Sequence, residues 1–69
     1  MPLTLARPGQ QMCIRKIMGK DETQKFLCNL GFVAGETVTV VSEISGNVII
    51  HVKDTRVALS RQLAQRIMV

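Results

Sequence analysis

The stretch Leu30-Gly31-Phe32-Val33-Ala34-Gly35-Glu36 constrains the fold more than any other, because a helical pattern stops at its first glycine and a β pattern starts after its second. Upstream, Thr23, Phe26, Leu27 and Leu30 fall at i, i+3, i+4 and i+7, the apolar stripe of a short amphipathic helix. Gly31 stands where a helix needs a C′ residue, a position that commonly takes φ > 0, which glycine adopts without steric cost. Phe32 follows as the apolar residue that folds back onto the last helical turn. Downstream, Gly35-Glu36 is a tight turn into Thr37-Val38-Thr39-Val40-Val41, whose alternation is that of a half-buried strand.

The flanking segments follow from this corner. Leu3 to Gln10 reads as a short extended arm closed by a Pro8-Gly9 turn. Met12 to Met18 is the first longer strand. Its Ile14 and Ile17 stand three apart around Arg15 and Lys16, which a β-bulge reconciles. Gly19-Lys20-Asp21 is a loop in which Asp21 serves as N-cap of the helix that ends at Leu30. Thr37 to Lys53 is a hairpin. A three-residue loop, Ser45-Gly46-Asn47, pairs Ile44 with Val48 and Val40 with Val52 inward, and Thr39 with Lys53 outward. A second turn at Asp54-Thr55 pairs Val52 with Val57 and Ile50 with Leu59. Ser60 caps a helical turn from Arg61 to Arg66 with Leu63 and Ala64 inward, and Ile67-Met68-Val69 is a last strand closing against the first. The expected architecture is one domain spanning residues 1–69. It is a small, curved, mostly antiparallel barrel of about five strands, with one inserted helix and a short C-terminal helical turn.

Sixty-nine residues leave a thin stability margin, since a chain this short buries only about 60% of its unfolded surface. A closed barrel without free sheet edges is one remedy. The chain is 46% hydrophobic, with mean hydropathy +0.21, enough to leave apolar surface for a partner. No segment approaches the roughly 18 consecutive apolar residues of a membrane span, and Met1-Pro2-Leu3-Thr4 lacks the charged and apolar regions of a secretory signal. A cytoplasmic location is expected. The formal charge of +4 suits nucleic acid, anionic lipid or an acidic protein face. The cations are nevertheless spread along the chain, as ordinary solvating charge is. Phe26 and Phe32 are the only aromatic residues and both are assigned to the core, leaving no ring for base stacking.

Metal and catalytic chemistry find little support. Cys13 lies on the first strand, Cys28 on the helix about 140° from the middle of its apolar stripe, and His51 on an outward strand position. These three are the weak metal candidates, and none has the paired spacing of a zinc site. A Cys13–Cys28 disulfide does not suit a reducing compartment. Asp21 is assigned to a cap, Glu36 and Asp54 to turns, and Glu43 to an outward strand position. No carboxylate pair, nucleophile elbow or phosphate-binding loop is present. The expectation is a non-enzyme without a cofactor.

Leu30-Gly31-Phe32-Val33-Ala34-Gly35 before a valine-rich strand resembles the leucine-glycine-aromatic/aliphatic-x-x-glycine signature of the FeoA family. Arg7-Pro8-Gly9-Gln10 and Arg56-Val57-Ala58-Leu59-Ser60 resemble the family's first and last motifs, in family order. Family members usually carry proline where this chain has Ala34. The resemblance implies an SH3-like barrel and a small cytoplasmic accessory protein of bacterial ferrous iron uptake, acting on the membrane transporter FeoB. On that reading the contact surface is the corner Phe32-Val33-Ala34 with the exposed helix side, Gln24, Lys25, Cys28 and Asn29, while Gly31 and Gly35 are structural. The alternative reading is a nucleic-acid-binding small β-barrel, which predicts basic side chains gathered on one face.

Overall fold

Two antiparallel sheets enclose the core of the computed structural model, which describes every residue from Met1 to Val69. Along the chain come β1 (Gln11–Cys13), β2 (Lys16–Ile17), α1 (Asp21–Asn29), β3 (Thr37–Ile44), β4 (Asn47–Val52), β5 (Thr55–Ser60), α2 (Arg61–Ala64) and β6 (Ile67–Met68). One sheet has the order β1-β3-β4-β5, and the other pairs β2 with β6. The mostly β architecture with one inserted helix and a short second one is the expected class. Between the sheets lie fourteen buried residues, all apolar, with Phe32, Leu3, Ile14, Leu27 and Ile50 the largest. The two chain ends meet: the Met1 ammonium donates to the Val69 carbonyl at 2.9 Å, and the Val69 N–H donates to the Met1 carbonyl at 2.8 Å.

The central corner forms as its glycines require. The Gly31 N–H donates to the Cys28 carbonyl and the Phe32 N–H to the Leu27 carbonyl, both at 3.0 Å, the two bonds of a Schellman cap. Gly31 has φ 104° and Phe32 is wholly buried. The Glu36 N–H then donates to the Val33 carbonyl at 3.0 Å across Ala34-Gly35, with Gly35 at φ 91°. That is the pattern of a type II turn, which needs positive φ at its third residue.

The bulge expected between Ile14 and Ile17 is also present, and it turns out to be a sheet corner. The Ile14 N–H donates to Glu36 at 2.9 Å, beside β3, whereas the Arg15 N–H donates to Met68 at 2.7 Å, in β6. Lys16 is itself the residue opposite Met68, so Arg15 and Lys16 share one partner. Ile14 is buried and Ile17 half-buried on the inside, while Arg15 and Lys16 both stand in solvent. The predicted strand Met12–Met18 is therefore two short strands, each in a different sheet.

Both expected hairpin registers are corrected. Val52 faces Val38 rather than Val40, Val40 faces Ile50, and Thr39 faces His51 rather than Lys53. In the second hairpin Val52 faces Thr55, Ile50 faces Val57 and Val48 faces Leu59. The cause is turn geometry. Each loop is two residues in left-handed conformation, Ser45-Gly46 (φ 51° and 81°) and Lys53-Asp54 (φ 48° and 60°), as in the primed turns that match strand twist. A bulge between Val40 and Ser42 absorbs the odd residue, so Ile44 faces Asn47 and lies 59% exposed instead of inward.

Three local expectations also change. The arm is not extended throughout, because Leu3–Leu5 makes a 3₁₀ turn that buries Leu3. Pro8-Gly9 does turn, with the Gln10 N–H donating to Arg7 at 3.1 Å. Lys20, not Asp21, occupies the N-cap of α1. Asp21 is the first helical residue, where its charge still favours the helix N-terminus without a capping hydrogen bond. Ser60 caps α2 as expected, its Oγ accepting from the Leu63 N–H at 3.3 Å.

Candidate functional site

α1 leaves the sheets' shelter more than any other element. Only Leu27 on it is buried, with Thr23 and Leu30 half-buried on the same side. Phe26, predicted to complete that apolar stripe, is 49% exposed. At about 100° per residue Phe26 stands about 70° from the centre of the Thr23-Leu27-Leu30 stripe, at the rim of the core rather than over it. Phe32, following the Schellman cap, is the ring that is wholly buried.

The predicted contact residues therefore divide. Gln24, Lys25, Cys28 and Asn29 are all exposed along α1, Ala34 is exposed and Val33 half-buried. Phe32 is corrected: a side chain with no solvent exposure contacts no partner. Lys25 and Asn29 flank Phe26 on one strip with Glu22, at positions i, i+3, i+4 and i+7. Gln24 and Cys28 lie on the other flank, and the Gln24 Nε2 donates to the Gly19 carbonyl at 3.0 Å. Phe26 is the residue that sequence reasoning assigned to the wrong side. The sequence signal is its place at the edge of the stripe, where a residue can stand in or out of the core.

A shallow cleft of about 370 Å³ lies between α1 and α2, lined by Thr23, Gln62, Leu63, Gln65 and Arg66. Its lining is amide, hydroxyl and guanidinium with one leucine, a set that can hydrogen-bond a partner but includes no nucleophile with a neighbouring base.

The structure does not assemble the weak metal candidates. Cys13 is on β1, Cys28 on α1 and His51 on β4; all three are exposed, and both cysteines are free. No three His, Cys, Asp or Glu side chains come together anywhere in the chain. The two structural glycines differ in their surroundings. A methyl group added at Gly31 would stand 3.4 Å from Cδ of Lys53, whereas nothing approaches Gly35. The lysine stem from the β4–β5 turn thus lies across the corner and screens it.

Comparison with known proteins agrees with this architecture. The FeoA domain model matches residues 1–69. A protein of Methanocaldococcus jannaschii, named provisionally as Fe(2+) transport protein A, is 32% identical over 68 residues, covering 99% of this chain and 83% of that one. The crystal structure of an iron uptake regulatory protein, FeoA, is 30% identical and superposes with a TM-score of 0.91, covering 100% of this chain and 93% of that one. The FeoA of Stenotrophomonas maltophilia, a prokaryotic SH3 domain protein crystallised with zinc, is 27% identical with a TM-score of 0.87, covering 100% and 88%. The matched length, the glycine corner and the SH3-like sheets make the present chain a member of the FeoA family.

Proposed function

We propose that this FeoA-family chain is a non-catalytic accessory protein of ferrous iron uptake. It acts in the cytoplasm by binding the cytoplasmic part of an FeoB-type transporter, and is recruited through that partner to the inner face of the membrane. The observation that carries the reading is the α1 strip Glu22, Lys25, Phe26 and Asn29, where a phenylalanine 49% exposed sits among polar groups in a chain of this family. An exposed aromatic with a polar rim is the usual composition of an interface centre. No helix here is long and apolar enough to cross a membrane, so on this reading the partner supplies the membrane-spanning part.

The test is capture of the detergent-solubilised transporter on immobilised protein, with and without guanine nucleotide. Retention that falls at least tenfold for Phe26→Ala, with an unchanged melting temperature, is the expected result. Failure to retain the transporter in either nucleotide state removes the proposal.

The nucleic-acid reading finds one supporting feature and one against it. Basic side chains do gather around β2 and β6, but Phe26, the exposed ring, lies on α1 and not among them. Base stacking therefore has no platform at the basic face.

A further inference from the structure

We infer that the outer face of the β2–β6 sheet is a second interaction surface, one that docks on an anionic phospholipid bilayer. The bulge makes it. By setting Arg15 and Lys16 opposite the single residue Met68, it turns two consecutive cations to the same, solvent side. Continuing the ladder, the Met18 N–H donates to the Arg66 carbonyl at 2.7 Å, so Met18 and Arg66 extend the face that carries Lys16 and Met68. Arg15, Lys16, Met18 and Arg66 are exposed and Met68 is half-buried. Lys20 follows after Gly19, and Arg66 Cδ comes within 3.8 Å of the place a Gly19 methyl would occupy, which keeps the guanidinium stem beside that loop.

The face thus carries cations and two thioethers, and none of its cations is in an ion pair. The chain's one ion pair, Arg61 with Glu43 at 2.6 Å, lies elsewhere. Asp21 and Glu22, the nearest carboxylates in sequence, stand in the first turn of α1 and pair with none of these cations. Charge complementarity selects an anionic partner, and the two methionines select among anionic partners. Unbranched, polarizable side chains at the surface, Met18 exposed and Met68 half-buried, are matched by the headgroup and acyl boundary of a bilayer, where apolar groups enter and cations meet phosphate. A phosphodiester backbone offers the charge without the apolar layer.

Sedimentation with phosphatidylglycerol and with phosphatidylcholine vesicles tests this without any transporter present, so the outcome is independent of the partner proposed above. Binding is expected to phosphatidylglycerol alone and to weaken with salt. Lys16→Gln with Arg66→Gln lowers the partition coefficient by about 30-fold. The control pair Lys53→Gln with Arg56→Gln, equal in charge but on the other sheet, changes it by less than about threefold. Should the first pair perturb folding, Arg15→Gln with Lys16→Gln replaces it, both being exposed side chains. The chain has no tryptophan or tyrosine, so a Met18→Trp variant reports alone. Its emission shifts to the blue on phosphatidylglycerol vesicles, while that of Phe26→Trp does not. No binding to anionic vesicles, equal loss in both pairs, or a shift at position 26 instead of 18 overturns the inference. Retention of a homopolymeric RNA with the same dependence on Lys16 and Arg66, and no vesicle binding, overturns it in favour of nucleic acid.

Discussion

Two phenylalanines show how much a side chain's contribution depends on what closes over it. Phe32 has no exposure and is anchored at both ends by the Schellman cap and the Val33–Glu36 turn, whereas Phe26 stands half in water on the helix just before it. Phe32→Ala leaves a cavity in a core of fourteen residues and is expected to cost about 3–5 kcal/mol, enough to unfold much of the population. Phe26→Ala is expected to change stability by less than about 0.5 kcal/mol. Urea denaturation of both variants checks the contrast. Ala34 offers the opposite sign. It sits at the second position of a type II turn, and its N–H donates to no backbone carbonyl. Proline presets the φ this position needs, so Ala34→Pro should raise stability by about 0.4–1 kcal/mol, read as a higher urea midpoint at constant slope. Gly31→Ala should lower it by about 1–2 kcal/mol, because φ there is 104°, a conformation that a Cβ strains, while the added methyl only touches the Lys53 stem at van der Waals distance.

At the scale of elements, the helix and the corner were legible in the sequence because their signals are local. A glycine after a leucine, then a phenylalanine, specifies the cap without knowledge of anything distant, and the bulge at Arg15-Lys16 follows from isoleucines three apart. Strand registers were not legible, because they are set by two-residue turns whose left-handed positions are held by Ser45, Lys53 and Asp54 as well as by a glycine. At Lys53-Asp54 there is neither glycine nor asparagine to declare the turn, and at Ser45-Gly46 the glycine is followed by Asn47, which also suits a longer loop. Yet the inward set Val40, Val48, Ile50, Val52 and Leu59 was read correctly, since Val52 and its partners were misplaced by two residues and a slip of two preserves the face. The one-residue shift near the tip, absorbed at Val41, is what sent Ile44 outward. The attachment of α1 through one buried leucine has its own consequence. Leu27→Ala should cost about 2–4 kcal/mol and release the helix before the sheets, so that amide protons of residues 24–29 exchange faster than those of β3 and β4 by at least tenfold.

For the molecule as a whole, the question is whether the α1 strip and the basic face act as separate surfaces. They are carried by different elements: Phe26 and Lys25 on α1, Arg15 and Lys16 on the bulged strand, and Arg66 beside β6. None of these side chains is buried, and none takes part in the one ion pair. Substitutions at both should therefore leave the fold intact. A domain of this size moves its melting temperature by about 4–8 °C per kcal/mol, so a shift below about 3 °C is expected for Lys25→Glu with Phe26→Ala, for Lys16→Gln with Arg66→Gln, and for all four together. Binding should then separate where stability does not. The first pair should abolish capture of a solubilised FeoB-type transporter and leave vesicle binding within threefold, and the second should lower vesicle binding about 30-fold and leave capture within threefold. With both partners present in one proteoliposome, the two contacts act as a tethered pair, so apparent affinity should exceed either alone by at least about a hundredfold. Each pair of substitutions should return it to the value of the surviving contact. Affinities that combine additively in free energy would show two independent surfaces. A four-residue variant no worse than either pair would show that one surface carries both contacts.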